Sequence, residues 1–262
     1  MKDKVKDNLA ISMSSKNTDI IPFLPELLQD LWELGSDCNE IIALIQNKVD
    51  NHEIKNVIDL GCGKGAVSVK LAKELKIKVK GIDIIPEFIK IANLKAMEYH
   101  VDDLCSFEIC DINQAIKYEK DYDCLIWGAV GKILGSYKET LAKISATVRP
   151  GGYLIIDDCF VNNASDNKLL RYGYEYPTLG EWEKLISEVG LSIVEQRIND
   201  EKDLKADYDE DFKHISMRAQ ELSNRYKEKE LLFNKYIENQ RNEYHDLQFN
   251  AVGVLWLLKK QS

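Results

Sequence analysis

The chain alternates between short apolar runs and longer stretches in which apolar residues recur at helical spacing. Apolar runs at 57–60, 77–84, 105–110, 122–130, 153–158, 191–198 and 251–260 predict strands. After the first run, Val67, Leu71 and Leu75 recur every four residues and predict a helix with one buried face. Strands that alternate with helices are typical of a parallel α/β sheet. The last run is almost continuously apolar, so we expect a strand that is buried on both faces.

Two helical segments lie outside this alternation. Before the first strand, a helix is expected from Pro25 to Leu34, where Gly35 ends it, and a second one begins at Ser36 or Asp37. Before the last strand, the acidic residues 199–211 predict a solvated connection that leads into a long helical stretch. The predicted organisation is therefore an N-terminal helical cap at 1–50 and a second domain at 51–262, with a helical insertion at about 205–245.

The first strand leads into a glycine cluster, VIDLGCGKGAVSVKLA at 57–72. Glycine has no Cβ, so Gly61, Gly63 and Gly65 can take positive φ and let a ligand lie directly on the backbone. The N–H groups of the following helix start would face that ligand. Asp83 stands 18 residues after Gly65, at the end of the second strand. A carboxylate there can accept hydrogen bonds from ribose hydroxyls; the alternative is a turn residue at a strand end.

Two kinds of nucleotide-dependent enzyme share this pattern. Gly61, Gly63 and Ala66 satisfy the G-x-G-x-x-A form of NAD enzymes, but Tyr137 does not continue into the Tyr-x-x-x-Lys pair that such an oxidoreductase would need. Asp59, two residues before the first glycine, argues against an NAD enzyme. The segment D-L-G-C-G-K-G resembles the first motif of class I S-adenosylmethionine (SAM)-dependent methyltransferases. Asp83, Asp111 and the turn Arg-Pro-Gly-Gly at 149–152 then follow in the order of that family.

The resemblance implies SAM as cofactor and S-adenosylhomocysteine (SAH) as product. It also implies a Rossmann-like seven-stranded sheet of order 3-2-1-4-5-7-6, with the last strand antiparallel and helices on both faces. In the family, the position of Asp59 helps to place the methionine part of the cofactor. Asp111 would bond the adenine amino group and Ile112 would pack on the ring, although Asp111 could instead cap a helix. The residues expected to bind the cofactor are Asp59, Gly61, Cys62, Gly63, Asp83, Ile84, Asp111, Ile112 and Gly128.

The acceptor side is expected after the fourth and fifth strands. Asp157 and Asp158 end the fifth strand and are the catalytic candidates, because two close carboxylates can share a proton and so tune a general base. The alternative is a solvated strand end. Tyr172, Tyr174 and Tyr176 alternate in RYGYEYP and are expected to bind the substrate, or else to pack on the sheet.

Several alternatives stay open for the remaining residues. Trp127, at the end of the fourth strand, can lie near the acceptor or in the core. The long helical stretch can serve as a lid, a brace or a homodimer surface. On it, His214 and Arg218 lie one turn apart and can face either an acidic acceptor or solvent.

Composition limits which substrates and metal ions the protein can be expected to bind. The 262 residues are 45% hydrophobic, which is enough for a core, and their net charge of -9 without a basic cluster argues against a nucleic-acid substrate. The six cysteines form no C-x-x-C pair and the four histidines have no ligand-like spacing, so we expect reduced thiols and no metal. Without an apolar leader or a membrane-length apolar run, we expect a cytoplasmic protein.

The predicted function is methyl transfer to an oxygen or nitrogen of a small-molecule acceptor. The alternative is a SAM-binding regulator without catalysis.

Overall fold

The computed structural model describes residues 3–50, 53–198 and 201–261, with the side chains of 201–207 left out of the description. The strands are β1 Asn56–Leu60, β2 Lys78–Asp83, β3 Cys105–Ile109, β4 Tyr122–Gly128, β5 Val148–Phe160, β6 Leu191–Ile198 and β7 Val252–Lys260. The α-helices are α1 Asp3–Ser12, α2 Leu24–Leu27, α3 Cys38–Lys48, α4 Ala66–Leu75, α5 Pro86–Glu98, α6 Ile112–Ala115, α7 Tyr137–Ser145, α8 Leu179–Glu188, α9 Glu201–Arg225 and α10 Glu230–Phe249.

The seven strands form a mixed sheet of order β3-β2-β1-β4-β5-β7-β6. β1 to β5 pair in parallel. β6 and β7 run in opposite directions, because the Gln261 N–H donates to the Gly190 carbonyl at 3.1 Å while the Ser192 hydroxyl donates to the Lys259 carbonyl at 3.2 Å. The predicted fold class is therefore confirmed, including the antiparallel last strand and the helical insertion before it.

The central strands are apolar because helices cover both faces of the sheet. Ile58 on β1, Leu125 on β4 and Leu154 on β5 are fully buried. Burial of each such side chain contributes roughly 1.5–3 kcal/mol to folding. β7 inserts between β5 and β6 and buries five consecutive residues, as its continuous apolar pattern predicted. The carboxyl ends of the parallel strands are thus held on a rigid base.

The segment before α3 differs from the prediction. A helix from Pro25 to Leu34 was expected, but the chain forms a 3₁₀ helix at Thr18–Phe23 and the single turn α2, and then continues without helix to Asp37. Tertiary contacts outweigh helical periodicity here, because Trp32 and Leu34 pack on the glycine turn as described below. Asp37 does cap α3, since its Oδ1 accepts from the N–H groups of Asn39 and Glu40 at 2.7 and 3.1 Å.

The insertion consists of two helices, where one long helix was expected. α9 begins at 201 and ends at Arg225, so the solvated connection predicted up to 211 is wrong for the described residues; residues 199 and 200 lie outside them. The helix is interrupted at Tyr226. A short 3₁₀ turn follows, and the chain then continues as α10. The break lets the apolar stripes of the two helices bury against each other, with Leu222 and Phe233 fully buried.

Residue contacts divide the chain into two compact units. We call the first the helical unit, drawn from Met1–Leu31, Cys159–Gly180 and Ile198–Gly253. The second, the sheet unit, is drawn from Trp32–Asp158, Glu181–Arg197 and Val254–Ser262. The predicted boundary at residue 50 stays a prediction. Across the part of the chain that the structure describes, no helix is long and apolar enough to cross a membrane.

Candidate active site

The glycine turn after β1 lies across the end of β2. The N–H groups of Gly61 and Cys62 both donate to the Ile82 carbonyl, at 2.8 and 3.0 Å. Gly61, Gly63 and Gly65 have φ of +82°, +52° and +76°, which only glycine adopts without strain. Gly65 is the N-cap of α4 and has no side chain with which to cap it. The first N–H groups of α4 therefore remain open to a ligand with a partial negative charge.

Asp83 anchors this turn from the end of β2. Its side chain is only 6% exposed, and its two oxygens accept hydrogen bonds from the N–H groups of Gly63 and Ile85 at 2.9 and 2.8 Å. The N–H group of Ile84 also donates to this carboxylate, and because a carboxylate offers about four acceptor positions, room remains for a further donor. Burial raises the pKa of Asp83 to about 6. The group is thus fixed in place, mostly ionised at neutral pH, and able to accept a ribose hydroxyl.

Asp59 lies on β1 beside the same turn and is 4% exposed. The Ser68 hydroxyl on α4 donates to it at 2.6 Å. Burial raises the pKa of Asp59 to about 7, and the charge of Asp83 adds to the rise. Burial likewise raises the pKa of the Cys62 thiol, which makes it an unreactive part of the wall. Two buried carboxylates in one wall would be stabilised by a ligand that carries positive charge, as SAM does.

A narrow cleft with a volume of about 40 Å³, partly open to solvent, runs along the turn. One wall is the segment 32–36, which the sequence-based prediction had placed in a helix and its end. Trp32 Nε1 donates to the Lys64 carbonyl at 3.1 Å, and Leu34 packs so closely on Gly63 that an added Cβ would lie 3.2 Å from it. The sequence signal at this wall is Gly35, which adopts a φ of +116° and turns the chain there.

The end of β3 contributes Asp111 and Ile112. Asp111 is the N-cap of α6 and accepts from the Asn113 N–H at 2.9 Å, which is the alternative that the sequence left open. A Cβ on Gly61 would lie 3.6 Å from Ile112 Cδ1, so the turn and the start of α6 are adjacent. Ile84 follows Asp83 directly at the same sheet edge. Contact of Asp111 and Ile112 with adenine stays a prediction.

The ends of β4 and β5 meet beside the cleft. Gly128 and Asp157 are register partners, and the Ala129 N–H donates to the Asp157 carbonyl at 3.0 Å. Ser36, which the sequence-based prediction treated only as a possible helix cap, lies against Gly128, because a Cβ on that glycine would stand 2.3 Å from Ser36 Oγ. Burial raises the pKa of Asp157 to about 6, while the Ser36 hydroxyl opposes the rise.

Asp157 and Asp158 do not form the expected proton-sharing pair. Successive residues of a strand point to opposite faces, so the two carboxyl groups diverge. Asp157 belongs with Gly128 and Ser36, whereas Asp158 points to the other face. Trp127 is fully buried, which supports the core alternative for this residue.

The three tyrosines belong to the helical unit. The ring centroids of Tyr172 and Tyr174 lie 4.6 Å apart, and those of Tyr174 and Tyr176 lie 6.0 Å apart. The Tyr174 hydroxyl donates to the Ile11 carbonyl at 2.7 Å. The tyrosines therefore form one cluster, and their role in substrate binding stays a prediction.

Arg218 in the same unit binds both oxygens of Asp30, at 2.6 and 2.8 Å, and also pairs with Glu221. His214 lies 3.9 Å from the same aspartate. Because the guanidinium of Arg218 already pairs with Asp30 and Glu221, it does not favour the alternative in which Arg218 contacts an acidic acceptor.

The comparisons with known proteins agree with this geometry. Residues 51–202 match a family model described as "Methyltransferase domain". Methyltransferase GfsG of Streptomyces halstedii is 23% identical over 181 residues, which cover 65% of this chain and 64% of that protein. The chain spans smaller shares of other curated relatives, so it matches less than two thirds of their length.

Solved structures share the fold. A SAM-dependent methyltransferase from Thiobacillus denitrificans in complex with SAH superimposes with a TM-score of 0.72 at 16% identity, over 91% of this chain and 98% of that one. A second, from Geobacter sulfurreducens and also in complex with SAH, gives 0.69 at 17% identity, over 86% and 90% of the two chains. The family model covers more than half of the chain, and the motifs, the strand order and the glycine turn all agree with it. The chain belongs to the class I SAM-dependent methyltransferase family.

Proposed function

We propose that this protein transfers the methyl group of SAM to an oxygen or nitrogen of a small-molecule acceptor. The observation that carries the proposal is the wall formed by Asp59, Asp83 and the glycine turn. It combines open N–H groups, a fixed carboxylate with a free acceptor position, and buried negative charge. These features match a ribose and a cationic group in a single ligand.

Residues of the sheet unit divide the work of holding the cofactor. Asp83 would accept a ribose hydroxyl, Asp59 would face the charged methionine part, and Ile112 would pack on the base beside Gly61. When bound, SAM supplies a methyl group already activated by its sulfonium. The chain itself must align the acceptor and exclude water. Trp32 and Leu34 are suited to exclude water, because they form the outer wall of the cleft.

Asp157 is the candidate general base. It stands at the carboxyl end of β5, next to Gly128, where acceptors bind in open α/β sheets. With a pKa of about 6, it is mostly ionised at pH 7 and can take a proton from a hydroxyl or an ammonium group. The Ser36 hydroxyl beside it would hold the carboxylate in position. A small acceptor is favoured over nucleic acid because the net charge of the chain is -9.

Calorimetric titration of SAM, SAH and NAD into the purified protein tests the cofactor. We expect SAM and SAH to bind and NAD not to bind. In Asp83→Asn one oxygen becomes an NH₂ group that faces a backbone N–H, so SAH affinity should fall at least about tenfold, or about 1.4 kcal/mol. Asp103→Asn removes an exposed carboxylate and should leave the affinity unchanged. NAD binding instead of SAH binding would contradict the proposal.

Catalysis is tested separately from binding. SAH release from SAM is measured with a library of small hydroxyl and amine compounds, in wild type and in Asp157→Asn. The proposal expects an acceptor-dependent rate that falls at least about 100-fold in Asp157→Asn, the typical contribution of a general base. A protein that binds SAM and SAH but releases no SAH with any acceptor would support the regulator alternative.

A further inference from the structure

Strand β6 lies at one edge of the sheet. In the strand order of the described chain only β7 stands beside it, so its other side is not covered by a strand. An open edge presents N–H and C=O groups in a row and is a ready template for a further strand. The strand at the opposite edge, β3, has five residues, whereas β6 has eight. The longer of the two open edges is therefore the one formed by β6.

The side chains of β6 do little to protect this edge. Native edge strands are commonly kept from pairing by proline, by lysine or by a bulge. The strand reads LSIVEQRI and contains neither proline nor lysine. Ile193 and Val194 are each 38% exposed and Ile198 is 50% exposed, although such residues favour a half-buried strand surface. Exposed apolar side chains on an open edge indicate a surface that another strand covers.

Two charged residues of β6 face helix α3. The Glu195 carboxylate pairs with Lys48 at 2.8 Å, and the Arg197 guanidinium pairs with Glu40 at 2.6 Å. Their spacing of two residues agrees with this shared direction, because alternate residues of a strand lie on the same face of the sheet. The edge thus carries one negative and one positive side chain, and each of them is backed by the opposite charge on α3.

This arrangement is complementary to a second copy of itself. When two identical strands pair antiparallel about a two-fold axis, every contact occurs twice. With the axis at Gln196, Glu195 stands opposite Arg197 of the second copy. In the same register Val194 stands opposite Ile198 of the second copy. Opposite charges and β-branched residues are favourable cross-strand pairs, whereas an axis at Glu195 or at Arg197 would place like charges opposite each other.

We propose that the β6 edge is an interface through which two copies of this chain join their sheets. Each row of side chains across the interface would contain Lys48 and Glu195 of one copy, followed by Arg197 and Glu40 of the other. The charges in this row alternate in sign, and the two-fold axis generates a second, identical row. Networks of several charges stabilise more than isolated surface pairs do. Because the charged groups are partly exposed, added salt should weaken the dimer.

The test is sedimentation velocity of the full chain at about 1–200 μM, the range in which a small interface associates measurably. We expect wild type to dimerise. Glu195→Arg and Arg197→Glu should each raise the dimer Kd at least about tenfold, because each places like charges opposite each other twice. An equimolar mixture of the two variants should dimerise again, since arginines of one copy then face glutamates of the other. Glu98→Arg, which reverses an exposed charge on α5, should dimerise like wild type.

The outcomes that contradict the inference are equally definite. Wild type that stays monomeric at the highest concentration would overturn it. A dimer that persists in both single variants would also overturn it, because that dimer must use another surface, such as α9 and α10. So would a mixture that stays monomeric although both variants are folded by circular dichroism. If either variant does not fold, Val194→Lys decides, because unchanged dimerisation with a lysine at this edge would refute the interface. The measurement needs no cofactor, so its result is independent of the proposed function.

Discussion

Replacement of Asp59 by asparagine should remove a pH dependence of stability that the buried carboxyl imposes. Burial and the charge of Asp83 raise the pKa of Asp59 to about 7. A carboxyl whose pKa is raised on folding favours the folded state while it is protonated. That stability is fully present below the pKa of the unfolded chain, about 3.9, and is lost as the pH rises through 7. Asparagine has nearly the same shape and stays neutral throughout.

The magnitude follows from the two pKa values. Full ionisation of a group whose pKa rises from about 3.9 to about 7 lowers the free energy of unfolding by about 4 kcal/mol. Between pH 5 and pH 8 the decrease is about 2.5 kcal/mol, because part of it has already occurred below pH 5. The Ser68 hydroxyl can still donate to the asparagine oxygen, so the substitution preserves the contact at 2.6 Å.

The assay is urea denaturation at half-unit steps from pH 5 to pH 8, followed by tryptophan fluorescence. Other buried carboxyls also contribute to the wild-type slope, so the quantity of interest is the difference between wild type and Asp59→Asn. We expect that difference to grow in favour of the variant by about 2.5 kcal/mol from pH 5 to pH 8. Asp103→Asn controls for the loss of one exposed charge and should follow wild type.

A constant difference between wild type and Asp59→Asn across this pH range would refute the reasoning. It would mean that Asp59 keeps an ordinary pKa despite its burial, through a partner that compensates the charge in solution. The case for a cationic ligand beside Asp59 would then lose its electrostatic basis. The ribose contact of Asp83 would be unaffected, because it rests on hydrogen-bond geometry.

Two further substitutions test the walls of the cleft. Gly65→Ala should destabilise the protein by about 2–5 kcal/mol in thermal or urea unfolding, because Gly65 has φ of +76° and its new Cβ would lie 2.7 Å from that of Ala92. Gly180→Ala, with open space at that position, should be neutral or slightly stabilising, and equal losses in the two variants would contradict the packing argument. Trp32→Phe removes the hydrogen bond to the Lys64 carbonyl and should weaken SAH binding by about 0.5–1.5 kcal/mol in calorimetry, whereas an unchanged affinity would show that this bond does not order the cleft.

Much of the cofactor side could be predicted because local chemistry determines it. A strand that ends in Gly61, Gly63 and Gly65 can turn tightly at little cost, because glycine adopts the positive φ values of this turn without strain. The register of the parallel sheet then brings Asp83 to the same edge, and Gly63 donates to it as the nucleotide-binding pattern requires. The inserted last strand could be predicted as well, because a strand that is buried on both faces needs a continuous apolar run.

The outer wall of the cleft and the contact between Ser14 and Glu243 could not be predicted, because they depend on contacts between distant parts of the sequence. Trp32 and Leu34 fit a helical period, yet they fold over a turn some thirty residues away. Glu243 stands in a charged stretch that any pattern assigns to solvent, and its partial burial becomes visible only when Ser14 is placed beside it. Propensity and periodicity carry no information about such pairs.

Asp59 in the sheet unit and Glu243 in the helical unit are two carboxyl groups with a common consequence. Asp59 and Glu243 both have pKa values raised to about 7, so each lowers the stability of the unliganded protein as the pH rises. A protein retains such groups where a ligand offsets their charge. Binding of a cation beside Asp59 should then raise stability, by about 2.7 kcal/mol at pH 8 if a fixed ligand concentration is set to 100 times the Kd at that pH. The gain should be larger at pH 8 than at pH 5, because only the ionised carboxylate attracts the cation. SAH has lost the sulfonium charge but keeps its amino group, so SAM should show the steeper pH dependence of the two.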